Sequence, residues 1–483
     1  MRDIRKHRSV AERFAAFARR MKDEALPDAV VRAACEQVLD TVGVGLAARR
    51  LDAEKPAVVV ATERWDDGGA YVLGEYRRAP AQMALLANGA LSHALDFDNT
   101  HMGSMIHVGA AVAPTAWTLG ACRHAAGADV IRAYVAGVEC ATRLGLASPG
   151  AFHANGFHAT AVAGVFGAVT AAGMILGASE RNIVDALGIA GSMAAGLLEY
   201  HHAGSSNKKL HPGLAASQAY LAVRLAMAGA DGPETVFEGG FGLIATHLGD
   251  VDPDFGTDDL GSLWHVLEVT TKPYPICNLS HAALDCVRAI QKENPDLRAD
   301  AIAAARVWGP PGVVPLVVEP VAAKIAPRNA YEAKFSIQHC VARMLVDRAV
   351  SVDHFTPEMV GDIGVRDLAA RVSFVPEPND AYPRKMPGRV EIVLADGRVL
   401  TSSVEDSAGS SSKPLSRAEI EEKFRNNLGE SPRDGGAGDL AEEILGLWEC
   451  ADVEPLVRRF SSYLQHDANR RAESPRGEKA LRI

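Results

Sequence analysis

Cysteine is scarce and unpaired in this chain. Seven residues (Cys35, Cys122, Cys140, Cys277, Cys286, Cys340, Cys450) are scattered over 483 positions, none in a C-x-x-C pair. That spacing excludes a small disulfide scaffold, points to a reducing compartment, and argues against an iron–sulfur cluster or a structural zinc built on neighbouring thiols. Positive charge is also wanting. Lys and Arg number 50 against 60 Asp and Glu, a net charge of -10, which argues against a nucleic-acid or anionic-membrane partner, since those demand clustered Lys and Arg with few intervening acids. No uninterrupted apolar run reaches membrane-spanning length, because His, Arg or Glu breaks the alanine-rich stretches. The N-terminal RDIRKHRSVAERFAAFARRMKDE is rich in Arg, but it carries Asp3, Glu12, Asp23 and Glu24. Transit peptides lack such acids, so an amphipathic first helix is expected, in a cytoplasmic protein.

Hydrophobic residues make up 48% and charged residues 23%, the balance of an ordinary globular chain, and the length calls for two domains. From Pro27 to about residue 245 helix follows helix, with apolar residues at three- and four-residue spacing, glycine at the breaks, and Ser179 placed to cap one of them. The pattern changes after about residue 265. RVSFVP (371–376) reads as a strand, and VEIVLADGRVLTSSV (390–404) as a hairpin around Asp396-Gly397 with a two-residue turn. Helix returns at EIEEKFRNNL, ESPRDGGAGD (430–439) reads as a loop, and AEEILGLWECADVEPLVRRFSSYL is helical again. The fold class is therefore mainly α with an α+β second domain. A helical bundle is built from both chain ends (1–268 and 405–464), a smaller α+β lid is inserted at 269–404, and a mobile tail follows at 465–483.

Four stretches carry concentrated chemistry. The first, LSHALDFDNTHMGSMIH (91–107), packs His93, Asp96, Asp98, Thr100, His101 and His107 together. A helix cap explains any one of them, but not six titratable or hydroxyl groups in seventeen residues. The second is His158, at the first turn of an Ala-, Gly- and Val-rich helix, where an imidazole donates to a carboxylate, acts as a base, or serves structure alone. In SSNKKLHPGLAASQA, Lys208, Lys209 and His211 stand just before an apolar helix, the lysines either as solvated surface charge or as an anion site. In TTKPYPICNLSH, Lys272 precedes a Pro-Tyr-Pro run at the expected domain junction, which fits a rigid linker and a lysine fixed at a cleft equally well.

DFDNT also matches the D-x-D-x-T signature of Mg²⁺-dependent haloacid-dehalogenase-type phosphohydrolases, with Asp96 and Asp98 as the reacting pair and GDVDPD (249–254) as the later acids. That chemistry needs the nucleophile at the end of a buried strand, whereas ALLANGALSHAL before it is helical in composition. A calcium loop fails because His101 and His107 stand where Gly and Glu are required.

Taken in order, HALDFDNTH followed by His107, GFHATAVAGVFGAV, KKLHPGLAA, TKPYPICNLSHAALD and AKFSIQHCVA resemble the successive motifs of the MmgE/PrpD family, which contains 2-methylcitrate dehydratase, cis-aconitate decarboxylase and iminodisuccinate epimerase. The resemblance runs from about residue 10 to 460 and implies a helical domain with an α+β lid, a homodimer, and catalysis with no metal or organic cofactor. It places the pocket on Asp96, Thr100, His107, His158, Lys208 and Lys272, and His101, Lys209 and Tyr274 join them as neighbouring substrate-binding candidates. Three departures stand out: Asn99 replaces the second Asp of DFDDT, Val108-Gly109 follows His107 where Pro-Ser or Pro-Gly is usual, and His339 takes a position commonly held by tyrosine.

The reactions of such a family create carbanion character beside a carboxylate, so lysines must neutralise substrate carboxylates while histidines exchange protons. His107 and His158 are the expected acid and base, with His339 a further candidate in proton transfer. Asp96 is expected to orient an imidazole, Thr100 to bind substrate oxygen, and Lys208 and Lys272 to clamp carboxylates. The leading expectation is a 2-methylcitrate dehydratase-like lyase acting on a di- or tricarboxylate, with cis-aconitate decarboxylation or iminodisuccinate epimerisation as alternatives.

Overall fold

The computed structural model describes residues 8–249, 251, 256–382, 384–429 and 436–473. The architecture is mainly α with small sheets. The chain divides into two compact units, one ending at Val269 and resuming at Glu419, the other running Thr270–Ala418.

In the first unit, helix α1 (Val10–Met21) starts with a reciprocal cap: the Ser9 hydroxyl accepts from the Glu12 amide, and the Glu12 carboxylate accepts from the Ser9 amide. Helix α2 (Asp28–Arg50) follows Pro27. Then come α3 (Ala81–His93), α4 (Gly109–Cys122), α5 (Gly127–Leu146), α6 (Ala159–Leu176), α7 (Glu180–Gly191, capped by Ser179) and α8 (His211–Met227). Helix α6 is the hub against which α4, α5 and α8 pack, since its Ala, Gly and Val side chains let neighbouring backbones approach. Contrary to the expectation that no apolar run is long enough, this helix could cross a membrane by length and composition, but 89% of it is buried inside the protein. Where α3 crosses α8, glycine meets glycine. A Cβ on Gly89 would lie 2.7 Å from the Gly213 Cα, and one on Gly213 would lie 2.1 Å from the Leu86 carbonyl oxygen. No side chain fits there, and the tight crossing fixes where the last residue of α3, His93, and the first of α8, His211, emerge.

The second unit holds helices α9 (His281–Glu293) and α10 (Ile337–Asp347) and a four-stranded sheet. Its strands are β1 (Ile302–Gly309), β2 (Val372–Pro376), β3 (Gly388–Leu394) and β4 (Val399–Val404), in the order β2-β1-β3-β4. β1 pairs parallel with β2, and the other pairings are antiparallel. β3 buries Val390, Ile392 and Leu394 in alternation, and α9 packs on β3 and β4.

Several expectations need correction. Strand β1 has the alanine-rich sequence IAAARVWG, which carries no strand signal of its own. The β3–β4 turn has three residues rather than two: the Leu394 amide donates to the Arg398 carbonyl, with Gly397 at φ +88°. Residues 405–418 stay with the second unit, because Ala408 N–H donates to Asp285 (2.6 Å), Met386 N–H to Asp406 (2.9 Å) and Thr271 N–H to the Gly409 carbonyl (3.0 Å). The chain then returns through α11 (Arg417–Leu428), α12 (Gly436–Leu445) and α13 (Glu454–Glu473). Of the expected 430–439 loop, 430–435 lie outside the described residues and 436–439 are helical. Of the expected tail, 465–473 continue α13 and 474–483 lie outside. The acid pair of GDVDPD is likewise outside, at 250 and 254, and a helix, not a strand, leads into DFDNT.

Candidate active site

The site grows from the end of α3. After His93 the chain turns sharply at Asp96, whose φ of +53° lies in the left-handed region that a non-glycine residue enters only under constraint. This turn sends the carboxylates of Asp96 and Asp98 to different partners. Asp98, wholly buried, accepts from His93 Nδ1 (2.9 Å) and His107 Nδ1 (3.1 Å) through the same Oδ2. Asp96 pairs with Lys208 (Oδ1 to Nζ 2.8 Å), and His107 Nε2 lies 4.0 Å from that oxygen. Thr100 Oγ1 is 3.2 Å from His107 Nδ1, and Thr160 Oγ1 accepts from the His107 amide. On the neighbouring elements, His158 at the start of α6 and His211 at the start of α8 meet Nδ1 to Nδ1 at 3.0 Å, so one donates and the other accepts. The His93 ring lies 4.7 Å from that of His107 and 5.7 Å from that of His158, and Tyr200 stacks edge-on against His158 and His211.

Four imidazoles thus share a largely buried space with one ammonium group. Burial, only partly offset by Asp98, lowers His93 to about 4. Burial, His93 and Lys208 bring His211 to about 4. Burial and Lys208 hold His158 well below its usual value. Desolvation pushes Asp98 up, yet the two imidazoles outweigh it and keep its carboxyl well below the usual range. An ionised Asp98 takes its hydrogen bonds from both Nδ1 atoms, so neutral His93 carries its lone pair on Nε2, which is buried without a hydrogen-bond partner among the described residues. Neutral histidines beside a fixed cation suit proton exchange next to a bound anion.

Among the described residues, two sets of groups have metal-like spacing, His93–Asp98–His107 and His101–Glu268–His265. In the first, the facing nitrogens carry the protons that Asp98 accepts. In the second, the Ser104 amide donates to His101 Nδ1 (3.1 Å), which fixes Nε2 as the N–H that donates to Glu268 (3.0 Å). A metal-bound imidazole needs the opposite arrangement, a lone pair on the metal side and an N–H behind. Both trios fit a hydrogen-bonded network better than a metal.

Of the expected residues, Asp96, Thr100, His107, His158 and Lys208 come together. His101 does not join them, because both its ring nitrogens are engaged by Ser104 and Glu268. Lys209 donates to the Ala53 carbonyl (3.1 Å), and burial lowers its pKa against the opposing charge of Glu54. Tyr274, Lys272 and His339 belong to the second unit. Tyr274 spends its hydroxyl on Asp285 (2.9 Å) inside that unit's core, and burial lowers His339 to about 4, with Nε2 lacking a hydrogen-bond partner among the described residues. Lys272 is buried. Asp98, rather than Asp96, is the carboxylate that orients the imidazoles. His211, which the sequence places beside Lys208 and Lys209 in SSNKKLHPG, joins the cluster although no site role was expected of it, and Tyr200 was not anticipated.

The departure at Asn99 has a local physical reason. Asn99 donates to Thr41 (2.9 Å) and to the Gln37 carbonyl (3.2 Å) and accepts from the Gly109 amide (3.1 Å), a donor-and-acceptor role that an ionised Asp cannot fill. A Cβ at Gly109 would stand 2.4 Å from that same Asn99 oxygen.

Comparison with known proteins agrees with the ordered motifs. The MmgE/PrpD N-terminal domain matches residues 12–256 and the MmgE/PrpD C-terminal domain residues 274–438. A cis-aconitate decarboxylase of Aspergillus terreus is 25% identical over 91% of this chain and 94% of its own. Those of Mus musculus and Homo sapiens are each 28% identical, over 93% of both chains and over 87% and 88% respectively.

Proposed function

The chain belongs to the MmgE/PrpD family and is a lyase of that family; within this class we propose that it decarboxylates cis-aconitate or a closely related tricarboxylate, without metal or organic cofactor. The observation that carries the reading is the near-full-length similarity to cis-aconitate decarboxylases, which favours decarboxylation over the 2-methylcitrate dehydration expected first. The imidazole cluster around Lys208 supplies the chemistry.

In this mechanism a substrate carboxylate competes with Asp96 for Lys208 Nζ. The charges of the bound tricarboxylate raise the neighbouring imidazole pKa values, so His158 or His107 takes up a solvent proton on binding. The bond to the departing carboxylate breaks, CO₂ leaves, and the freed electron pair shifts through the adjacent double bond. The far carbon receives the imidazole's proton, and solvent restores it. Asp98 keeps His93 and His107 in one tautomer throughout. In the smaller unit, Lys272→Ala is expected to collapse turnover with folding intact.

The test is an assay in metal-free buffer with cis-aconitate and 2-methylcitrate side by side, following CO₂ release and the vinylic protons by NMR. Release of CO₂ from cis-aconitate, lost in His158→Ala, supports the reading. Dehydration of 2-methylcitrate with no decarboxylation overturns it.

A further inference from the structure

Lys423 lies far in sequence from every residue named in the site, yet it reaches the turn between the two aspartates. It sits on α11, is buried, and donates from Nζ to the carbonyl oxygen of Phe97 at 2.9 Å across 326 residues of sequence. The same ammonium lies 3.7 Å above the Phe97 ring and pairs with Asp40 on α2 at 2.5 Å. The next residue, Phe424, seats α11 on α2, where a Cβ on Gly43 would stand 2.6 Å from its ring. Phe97 is the residue between Asp96, held in the left-handed region, and Asp98, which accepts from both imidazoles. A strained turn persists only where surrounding contacts over-determine it, and the Phe97 carbonyl is the backbone point of this turn that a buried charge grips.

We propose that Lys423 is a positioning residue for the histidine cluster: by holding the Phe97 carbonyl it fixes the turn that places Asp98 beneath His93 and His107 and aims Asp96 at Lys208. Asp40 serves this arrangement by neutralising the ammonium, since a buried charge left unpaired is strongly destabilising. The residue does not touch the reacting atoms. Its contribution to turnover rests on the proposed lyase reading, while its effect on the imidazoles can be read without any substrate.

Because Lys423→Met alone would strand the Asp40 charge and remove the donor, the test uses K423M/D40N and K423Q/D40N, which remove both charges, beside D40N alone, in which the buried lysine can shed its proton and still donate an N–H to the carbonyl. Folding is followed by thermal melting, and the cluster by ¹⁵N-histidine NMR of the free protein. In wild type and D40N, exchange-protected Nδ1–H signals of His93 and His107 are expected. In the double variants those signals should be lost and kcat should fall about ten- to hundredfold, the usual consequence of removing a supporting partner. A merely structural tie would lower the melting temperature and leave the imidazole signals in place. Folded double variants with wild-type imidazole signals overturn the proposal, as does a D40N protein that loses them to the same extent. Loss of the signals in a protein whose wild type does not decarboxylate cis-aconitate would count against the lyase reading alone.

Discussion

The first unit contains the same side-chain trio twice, two imidazoles on one carboxylate oxygen, in two different settings. In His93–Asp98–His107 the carboxylate is wholly buried. In His101–Glu268–His265, Glu268 receives His101 Nε2 (3.0 Å) and His265 Nδ1 (2.8 Å), but its side chain is 49% exposed. Hydrogen bonds from His101, with burial opposing, bring Glu268 to about 2. The comparison teaches that composition and hydrogen bonding do not make a reactive centre. Water screens the outer trio, so it ties residues 101–106 to 265–268 and contributes little more than a surface ion pair. The inner trio lies in low dielectric, beside Lys208, where each proton's position has a large energetic consequence.

The sharpest test of this contrast is a pair of isosteric changes. Asp98→Asn leaves the volume but frees the imidazole tautomers, and kcat/KM for the decarboxylation should fall by about 10²–10⁴, roughly 3–5 kcal/mol of transition-state stabilisation. If Asp98→Asn and Glu268→Gln prove equally active, the distinction between the trios is lost. Next in size is Lys208→Met. Charged hydrogen bonds are worth about 1.5–3 kcal/mol, so kcat/KM should drop roughly ten- to hundredfold, with KM rising, as steady-state kinetics would register.

The trios should also separate along the pH axis in thermal or denaturant unfolding. His93 and His211 fold with pKa values near 4, so between pH 6.5 and 4 the unfolded chain binds protons that the folded pocket refuses. Stability is therefore fully present above pH 6.5 and falls as pH drops towards 4, with a slope of up to about 1.4 kcal/mol per pH unit for each group. Glu268 has its folded pKa depressed, so its contribution is present above pH 4.5 and lost as pH falls towards 2. This part is small because the group is half exposed. His93→Gln should flatten the upper window and leave the lower one alone. The smallest effect belongs to Glu268→Gln, expected to cost less than about 1 kcal/mol of stability at neutral pH and to leave kcat unchanged.

The sequence made some of this legible and hid the rest for definite reasons. DFDNTH announced a polar cluster, and Asp96, Thr100, His107, His158 and Lys208 could be named from their motifs. Neighbours in a motif were harder to sort. Lys208 and Lys209 are adjacent, as are Thr100 and His101, yet one of each pair faces the cluster and the other is engaged elsewhere. Strand β1 was hidden because alanine fits either backbone and the sheet around it decides.

What the sequence determined by itself was the inventory: helical periodicity, small residues that let helices close up, the cationic and imidazole groups, and the family to which their order belongs. The tertiary structure alone decided which carboxylate holds which partner. Asp98 under two imidazoles, Asp96 on Lys208, and Lys423 gripping Phe97 all depend on burial and on contacts across long stretches of chain. The physical reason is that a side chain's protonation and pairing follow from its surroundings in space, and linear spacing constrains those surroundings only within a turn or two of helix.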